Sequence, residues 1–324
     1  MNRKEYGGYL ELEHFNGKEY HTEHALRFNY ARTAWQYLLQ ERKISKAYLP
    51  YYLCDSLIAP TLRNGTKIEY YHIDENFLPL CSHIPEQGEV ILIVNYFGLL
   101  VPETIQKLAF KYGHIVLDNT QAFFSTAPQS VDTLYSCRKF FGVPDGGYLI
   151  AQDIPLPNCE EDRSTQRMTF LSGRLEDGAQ PYYQQFRIAE DQAEHMPIRQ
   201  MSKTTRNLLC GIDYDYVKMR RENNYQRLQE RLGAFNRLAL PPTSIGPYIY
   251  PFYFGGDAAA LRAFLIADRV YVPTLWSNVR DLLQGDYLEL RLTDRIIPLP
   301  LDQRYNSDDM DEIIAIVKKG IERC

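Results

Sequence analysis

The chain is 324 residues long, 45% hydrophobic and 24% charged, with 36 Lys and Arg against 41 Asp and Glu for a net charge of -5. A chain of that length buries roughly three quarters of its unfolded surface and needs no staples to hold a core. The acidic balance argues against a nucleic-acid binder working through overall charge.

The amino terminus, MNRKEYGGYLELEH, has no apolar stretch after its basic residues and is not expected to be a secretory signal. Gly7-Gly8-Tyr9-Leu10 reads either as a loose end or as an arm that crosses onto a partner. Ala34, Tyr37, Leu38 and Leu39 fall on one helical stripe, which predicts a helix over Ala34 to Arg42 with Thr33 as its cap. AYLP at 47–50 is a short strand, and Asp55 to Leu62 is a helix ended by Asn64-Gly65. Lys67 to His72 reads as a strand. Glu89 to Tyr96 is a continuous apolar run, the pattern of a strand buried on both faces. Pro102 to Tyr112 is a helix with proline near its first turn and Gly113 just past its end. His114 to Leu117 is the next strand, ending at Asp118, and Gly147 to Ala151 is another. Strands alternating with helices over short links predict an α/β domain on a mostly parallel sheet.

The second half changes character. Residues 153–200 are polar with little strand pattern, and Thr204 to Leu232 is one long helical stretch stopped by Gly233. Tyr248 to Phe254 reads as a strand, Ala258 to Ile266 as a helix, Val270 to Val272 as a strand and Asp308 to Ile321 as a final amphipathic helix. The expected division is a large unit with an amino-terminal arm over 1–205, then a connecting helix and a smaller α/β unit over 206–324. No apolar run approaches the roughly 20 residues of a membrane span. Cys54, Cys81, Cys137, Cys159, Cys210 and Cys324 form no Cys-x-x-Cys and no Cys/His cluster, so neither a disulfide framework nor a zinc site is suggested. The histidines include no His-Glu-x-x-His, and no metal is expected. A cytoplasmic protein with free thiols is the expectation.

Ligands of open parallel sheets bind at the carboxyl ends of the strands. Asp118, at such an end, either caps the next turn or faces a ligand. Lys139 precedes the Gly-rich link Asp145-Gly146-Gly147 into a buried strand. It is either a surface lysine beside a turn or a desolvated amine near Arg138, with a pKa low enough to bond to an aldehyde. Ala31-Arg32-Thr33-Ala34 opens a helix whose free amides suit a phosphate, and Ser136 can add a hydroxyl to it. A phosphate site, an amine for an aldehyde and a carboxylate for a ring nitrogen together describe pyridoxal phosphate, whose protonated ring draws electrons from a substrate carbanion.

On these residues the chain resembles the DegT/DnrJ family of sugar aminotransferases, within the fold type I pyridoxal-phosphate enzymes. The resemblance runs from about Arg27 to the carboxyl terminus. It rests on Asp118-Asn119-Thr120-Gln121-Ala122, on Lys139 followed six positions later by Asp145-Gly146-Gly147, on Val94-Asn95-Tyr96-Phe97-Gly98 and on Arg199-Gln200-Met201-Ser202. It implies a large cofactor domain and a smaller C-terminal α/β domain, pyridoxal 5'-phosphate as cofactor and a homodimer with shared active sites. It implies that Lys139 carries the cofactor and moves protons, that Asp118 holds the ring nitrogen and that Gln121 approaches the ring hydroxyl. Arg32, Thr33 and Ser136 would hold the phosphate. Arg138 and Arg199 would meet a donor carboxylate or a sugar diphosphate, and Tyr9 would reach substrate from the arm. The expected reaction passes an amino group from glutamate to a nucleotide-linked keto sugar in polysaccharide synthesis.

Three departures accompany the resemblance. Ser136 lies three rather than five positions before the lysine, Ala31 stands where the loop usually has Gly, and Cys54 occupies the place of the aromatic that stacks on the ring. A binding or regulatory protein that keeps the fold without turnover, and an aminotransferase for a small keto acid, remain as alternatives. The family's dehydratases usually replace the lysine with His, and no Gly-x-Gly-x-x-Gly follows the early strands, so a dehydratase and a Rossmann dehydrogenase are set aside.

Overall fold

The computed structural model describes residues 6–126, 128 and 130–324; the first five positions of the amino-terminal stretch read above lie outside the described residues. The chain opens with β1 (Ala25–Phe28), α1 (Ala31–Glu41), β2 (Lys46–Pro50), α2 (Asp55–Arg63), β3 (Lys67–Ile73) and β4 (Pro79–Leu80). It continues with β5 (Glu89–Val94), α3 (Pro102–Tyr112), β6 (Ile115–Asp118), β7 (Asp132–Ser136) and β8 (Gly147–Ile150). These strands make one eight-stranded sheet in the order β1-β8-β7-β6-β5-β2-β3-β4. From β7 to β3 every neighbouring pair is parallel. The additions at the edges, β8, β1 and β4, are antiparallel. The central strands are buried along their length, as β5 (EVILIV) foreshadows.

Local chemistry sets the helix ends. α3 has Pro102 in its first turn and stops at Gly113, which sits at φ 68°. α1 starts a turn earlier than its apolar stripe suggests. Tyr30 is the cap residue, and Thr33, three residues in, turns its hydroxyl back to accept from Tyr30 N at 3.2 Å. Trp35 of α1 donates from Nε1 to Thr61 Oγ1 of α2 at 2.7 Å, which locks the two helices together through a fully buried indole.

Residues 153–200 hold two helices, α4 (Thr169–Asp177) and α5 (Tyr183–Glu194), where the sequence suggests only a polar stretch. The stretch read as one helix over Thr204 to Leu232 is two, α6 (Lys203–Cys210) and α7 (Tyr214–Leu232). Each has its own cap: Ser202 accepts from Thr205 N at 3.2 Å, and Asp213 accepts from Tyr216 N at 3.0 Å. Then follow β9 (Tyr250–Tyr253), α8 (Ala258–Ala267), α9 (Val279–Leu282), α10 (Leu288–Arg295), β10 (Ile296–Leu299) and α11 (Ser307–Ile321). β9 and β10 pair antiparallel as a second sheet. α7, β9, α8, β10 and α11 surround their own buried cluster, which includes Tyr225, Leu228, Phe252, Leu261, Ile297 and Val317. Val270 and Val272 are buried but pair with no strand, so the strand expected there is absent. Among the described residues no helix is long and apolar enough to cross a membrane.

Candidate active site

The chain runs outward from β2 to β3, then reverses through β5 to β6 and β7 on the other side of β2. The reversal leaves a crevice beyond the carboxyl ends of β2 and β5, where ligands of such sheets bind. The antiparallel strands feed the same edge. Gly147, the first residue of β8, lies opposite Ser136, the last of β7, and also opposite Phe28, the last of β1. The amino terminus of α1 therefore arrives at the same edge as Cys54, Asn95, Asp118 and Ser136.

Asp118 is 4% exposed and accepts at Oδ1 from Thr120 N at 2.9 Å, so its turn and its strand end are one unit. Beside it, Asn95 Nδ2 donates to Asn119 Oδ1 at 2.9 Å. Gln121 Oε1 accepts from Phe97 N at 3.0 Å. That bond holds Phe97 at φ 57°, a left-handed conformation a bulky residue adopts only under outside constraint. The Gln121 carbonyl is thus committed to the backbone of the β5 turn.

Lys139 lies three residues beyond β7. Its Nζ donates to Thr120 Oγ1 at 3.0 Å and sits 5.9 Å from the centre of the Tyr248 ring. Burial pushes its pKa down; Asp118 opposes that, and Arg32 adds to it. Cys54 is the cap residue of α2 and points its thiol at Asp55 Oδ1, 3.4 Å away. Burial pushes the Cys54 thiol up, so it stays protonated at neutral pH. Four groups from three strand ends, Lys139 after β7, Asp118 and Thr120 at β6, and Cys54 after β2, thus face one shared space.

The loop carrying Lys139 is fastened from the far side by a residue that sequence reading passes over. Arg221, on α7, is 1% exposed. It donates to Phe140 O at 3.0 Å, Pro247 O at 2.9 Å, Tyr248 O at 3.1 Å and Gln303 Oε1 at 2.9 Å. Burial lowers its pKa to about 10. One guanidinium thereby ties the residue after Lys139 to the tyrosine facing it.

At the other end stands Tyr30, 4% exposed, with a buried hydroxyl that has no partner among the described residues. The guanidinium carbons of Arg32, Arg138 and Arg167 lie 5.9, 5.4 and 5.9 Å from its ring centre. Arg138 pairs with Glu190, and Arg167 with Asp162 at 2.7 Å and Asp145 at 3.4 Å. Asp145 also accepts from Ser202 N at 3.1 Å, and burial raises its pKa. Arg32 has no such partner among the described residues, so the amino terminus of α1 carries an uncompensated cation beside its free amides. Gly147 makes this approach possible: a Cβ there would come within 2.4 Å of Ala31 N and 2.5 Å of the Tyr30 carbonyl carbon.

The remaining expected residues fall in different places. Thr33 spends its hydroxyl on Tyr30 N and on Asn29 Oδ1, to which it donates at 2.6 Å. Ser136 is half-buried at the end of β7. The backbone carbonyl of Arg199 accepts from Asn29 N at 2.9 Å, just before α1, while its guanidinium reaches Asp162 at 3.5 Å and Glu160 at 3.8 Å. Tyr9 is 97% exposed. Tyr30, Thr120, Arg167, Arg221 and Tyr248 receive no role from the sequence, because each acts through a tertiary contact and only Thr120 stands in a quoted motif. The one available signal is for Thr120, which lies between Asp118 and Gln121.

No family model matches the sequence, and no curated protein does. Solved structures do. The chain is similar to the sugar aminotransferase CalS13 from Micromonospora echinospora, with a TM-score of 0.62 and 16% identity over 92% of this chain and 87% of that one. It is similar to Spr1654 from Streptococcus pneumoniae in its PLP form, with a TM-score of 0.64 and 12% identity over 92% and 87% of the two chains. It is also similar to Helicobacter pylori PseC, an aminotransferase involved in the biosynthesis of pseudoaminic acid, with a TM-score of 0.61 and 15% identity over 93% and 88%. The likeness is one of fold: this is the α/β fold of type I aminotransferases, spanning nearly the whole chain.

Proposed function

We propose that the protein is a pyridoxal-phosphate-dependent aminotransferase acting on sugars, passing an amino group from glutamate to a nucleotide-linked keto sugar in polysaccharide biosynthesis. The observation that carries the reading is Lys139: a half-buried amine of lowered pKa, beside a buried carboxylate, on the same sheet edge as an unpartnered tyrosine hydroxyl and a cationic helix terminus. On one molecule, an aldehyde fits the amine, a ring nitrogen fits the carboxylate, and a phosphate fits the tyrosine hydroxyl and the helix terminus. The solved structures of the same fold support it, since they include sugar aminotransferases and a protein in its PLP form.

When bound, the cofactor supplies an aldehyde and an electron-withdrawing ring. The chain's residues do the rest. Lys139 would hold the cofactor through Nζ, and its amine would serve as the general base and acid that takes a proton from the substrate carbon and returns one. Asp118 would hold the proton on the ring nitrogen, and Gln121 would approach the ring hydroxyl. The α1 amides at Arg32 and Thr33, the Arg32 guanidinium and the Ser136 hydroxyl hold the phosphate. Cys54 would stand at the place of the ring-stacking aromatic. Arg138 and Arg199 are assigned to the donor carboxylate or the sugar diphosphate, exchanging their present carboxylates for it.

The active unit is proposed to be a cytoplasmic homodimer in which Tyr9 and the arm reach the partner's site. Exposed apolar side chains on the arm (Tyr9, Leu10) and on α4 and α5 (Leu175, Tyr183) support such a partner surface. The division at residue 205 is retained, with α7 as connector.

The test is the visible spectrum of purified protein with pyridoxal phosphate, beside Lys139→Ala, followed by a screen of keto sugars with glutamate. A visible band that borohydride fixes in the parent and that is missing in the variant is the expected result. No band in either protein overturns the reading and leaves a fold retained for binding or regulation.

A further inference from the structure

Of the groups around Lys139, Thr120 is the one that neither the sheet nor the cofactor reading explains. Its side chain is 8% exposed, at a turn already closed by its own N–H, which donates to Asp118 Oδ1 at 2.9 Å. The preceding residue is pinned to the neighbouring strand, Asn119 N to Leu134 O, at 2.9 Å. Backbone and β-branched side chain leave the hydroxyl little freedom. It is spent on one contact: Lys139 Nζ donates to Thr120 Oγ1 at 3.0 Å, the single hydrogen bond of that amine among the described residues.

We propose that the Thr120 hydroxyl is the docking point of the Lys139 amine, holding Nζ beside Asp118 whenever it is not bonded to the cofactor. The proposal deepens the aminotransferase reading and rests on it for the word cofactor, but the contact itself does not. An ammonium has three donors and no acceptor, so a fixed hydroxyl oxygen stabilises its charged form. The charged and titratable groups facing the amine are Asp118, Cys54 and Arg32. The Tyr248 ring face adds a weak cation–π attraction. Asp118 also attracts the charge, but its Oδ1 is shared with Thr120 N, so the hydroxyl is the acceptor that fixes the direction of Nζ. Thr120 is thus a contact of the reacting atom, and its loss changes both where the amine rests and how tightly it keeps its proton.

The experiment uses the full-length chain, freed of bound aldehyde with hydroxylamine. Lys139 is trace-labelled with acetic anhydride across the ordinary lysine range near ~10.4, and the labelled peptide is quantified by mass spectrometry. Thr120→Val keeps the shape and removes the hydroxyl; Thr120→Ser keeps the hydroxyl. Thr120→Val is expected to lower the titration midpoint by about one unit, which is about tenfold more neutral amine below both midpoints, or ~1.4 kcal/mol. Thr120→Ser is expected to follow the parent. Should valine not be tolerated, Thr120→Ala carries the same expectation. Superimposable parent and valine (or alanine) profiles, or a serine profile shifted equally, overturn the proposal. The readout needs no cofactor, so the visible-band experiment can fail while this one succeeds, and the reverse.

Discussion

Arg221→Met is the substitution that most directly tests how the site is held. Methionine matches the length of the arginine stem and supplies no donor. Four hydrogen bonds go with the guanidinium. Phe140 O keeps a partner, because Gln303 Nε2 also donates to it at 2.8 Å. Pro247 O and Tyr248 O have no other partner among the described residues, and an orphaned buried acceptor costs about 1–3 kcal/mol. Removing a desolvated charge returns part of that loss. The balance is a destabilisation of about 3–4 kcal/mol, in the range for breaking a buried polar network. Denaturant unfolding measures it as a lower midpoint at unchanged slope. Arg231→Met, on the exposed face of the same helix, is the control and should stay within about 0.5 kcal/mol. The labelling midpoint of Lys139 should also move, since Phe140 and Tyr248 are freed together. A loss below about 1 kcal/mol in Arg221→Met would refute the claim that this residue fastens the lysine loop.

Two more predictions concern the folded chain. His21 lies among Tyr20, Phe123, Tyr135 and Tyr148 with Nε2 2.9 Å from Phe123 O, and burial lowers its pKa from 6.5 to about 4. The unfolded chain binds the extra proton between those values, so the stability that the neutral ring contributes is present above pH 6.5 and lost as pH falls toward 4. Unfolding at pH 7 and pH 5 should differ by about 2 kcal/mol from this group alone, and His21→Gln should remove that difference; equal slopes in both proteins refute it. Gly147→Ala must push backbone at Tyr30 and Ala31, so it should cost about 1–3 kcal/mol and weaken the pyridoxal-phosphate band, whereas wild-type stability and saturation would show that the α1 terminus yields freely.

How much of this was readable in advance depends on where a residue's partner sits. β5, β6 and α3 announce themselves, because an apolar run between turn residues, or proline before and glycine after a stripe, is local information. β7 (DTLYS) and β1 (ALRF) do not: each is short and has polar residues, and each becomes a strand through the neighbour it pairs with. β10 (IIPL) hides behind Pro298, which faces Pro251 in a two-stranded sheet where the missing donor is tolerated. Val270 and Val272 show the converse, an alternating pattern with no strand to pair with. α5 buries only Ala189 and Ala193, too narrow a stripe to stand out in a polar run. At the site, Asp118 and Lys139 were legible because they stand at strand ends in a recognisable order. Arg221 was not, since an arginine in a polar helix looks solvent-facing until the segments carrying Phe140, Pro247, Tyr248 and Gln303 close around it.

The contacts of Lys139 pull in opposite directions, and the opposition suits the proposed chemistry. An amine attacks an aldehyde only when neutral, and gives a proton only when charged. Burial and Arg32 favour the first state; Asp118 and the Thr120 hydroxyl favour the second. A lysine governed by burial alone would be a nucleophile without a proton to return. One governed by Asp118 alone would stay charged and inert. Holding both influences against one flexible side chain requires that its surroundings do not move, and Arg221 supplies that rigidity from across the molecule. The fold brings the strand ends together; the buried guanidinium keeps the balance between them from relaxing.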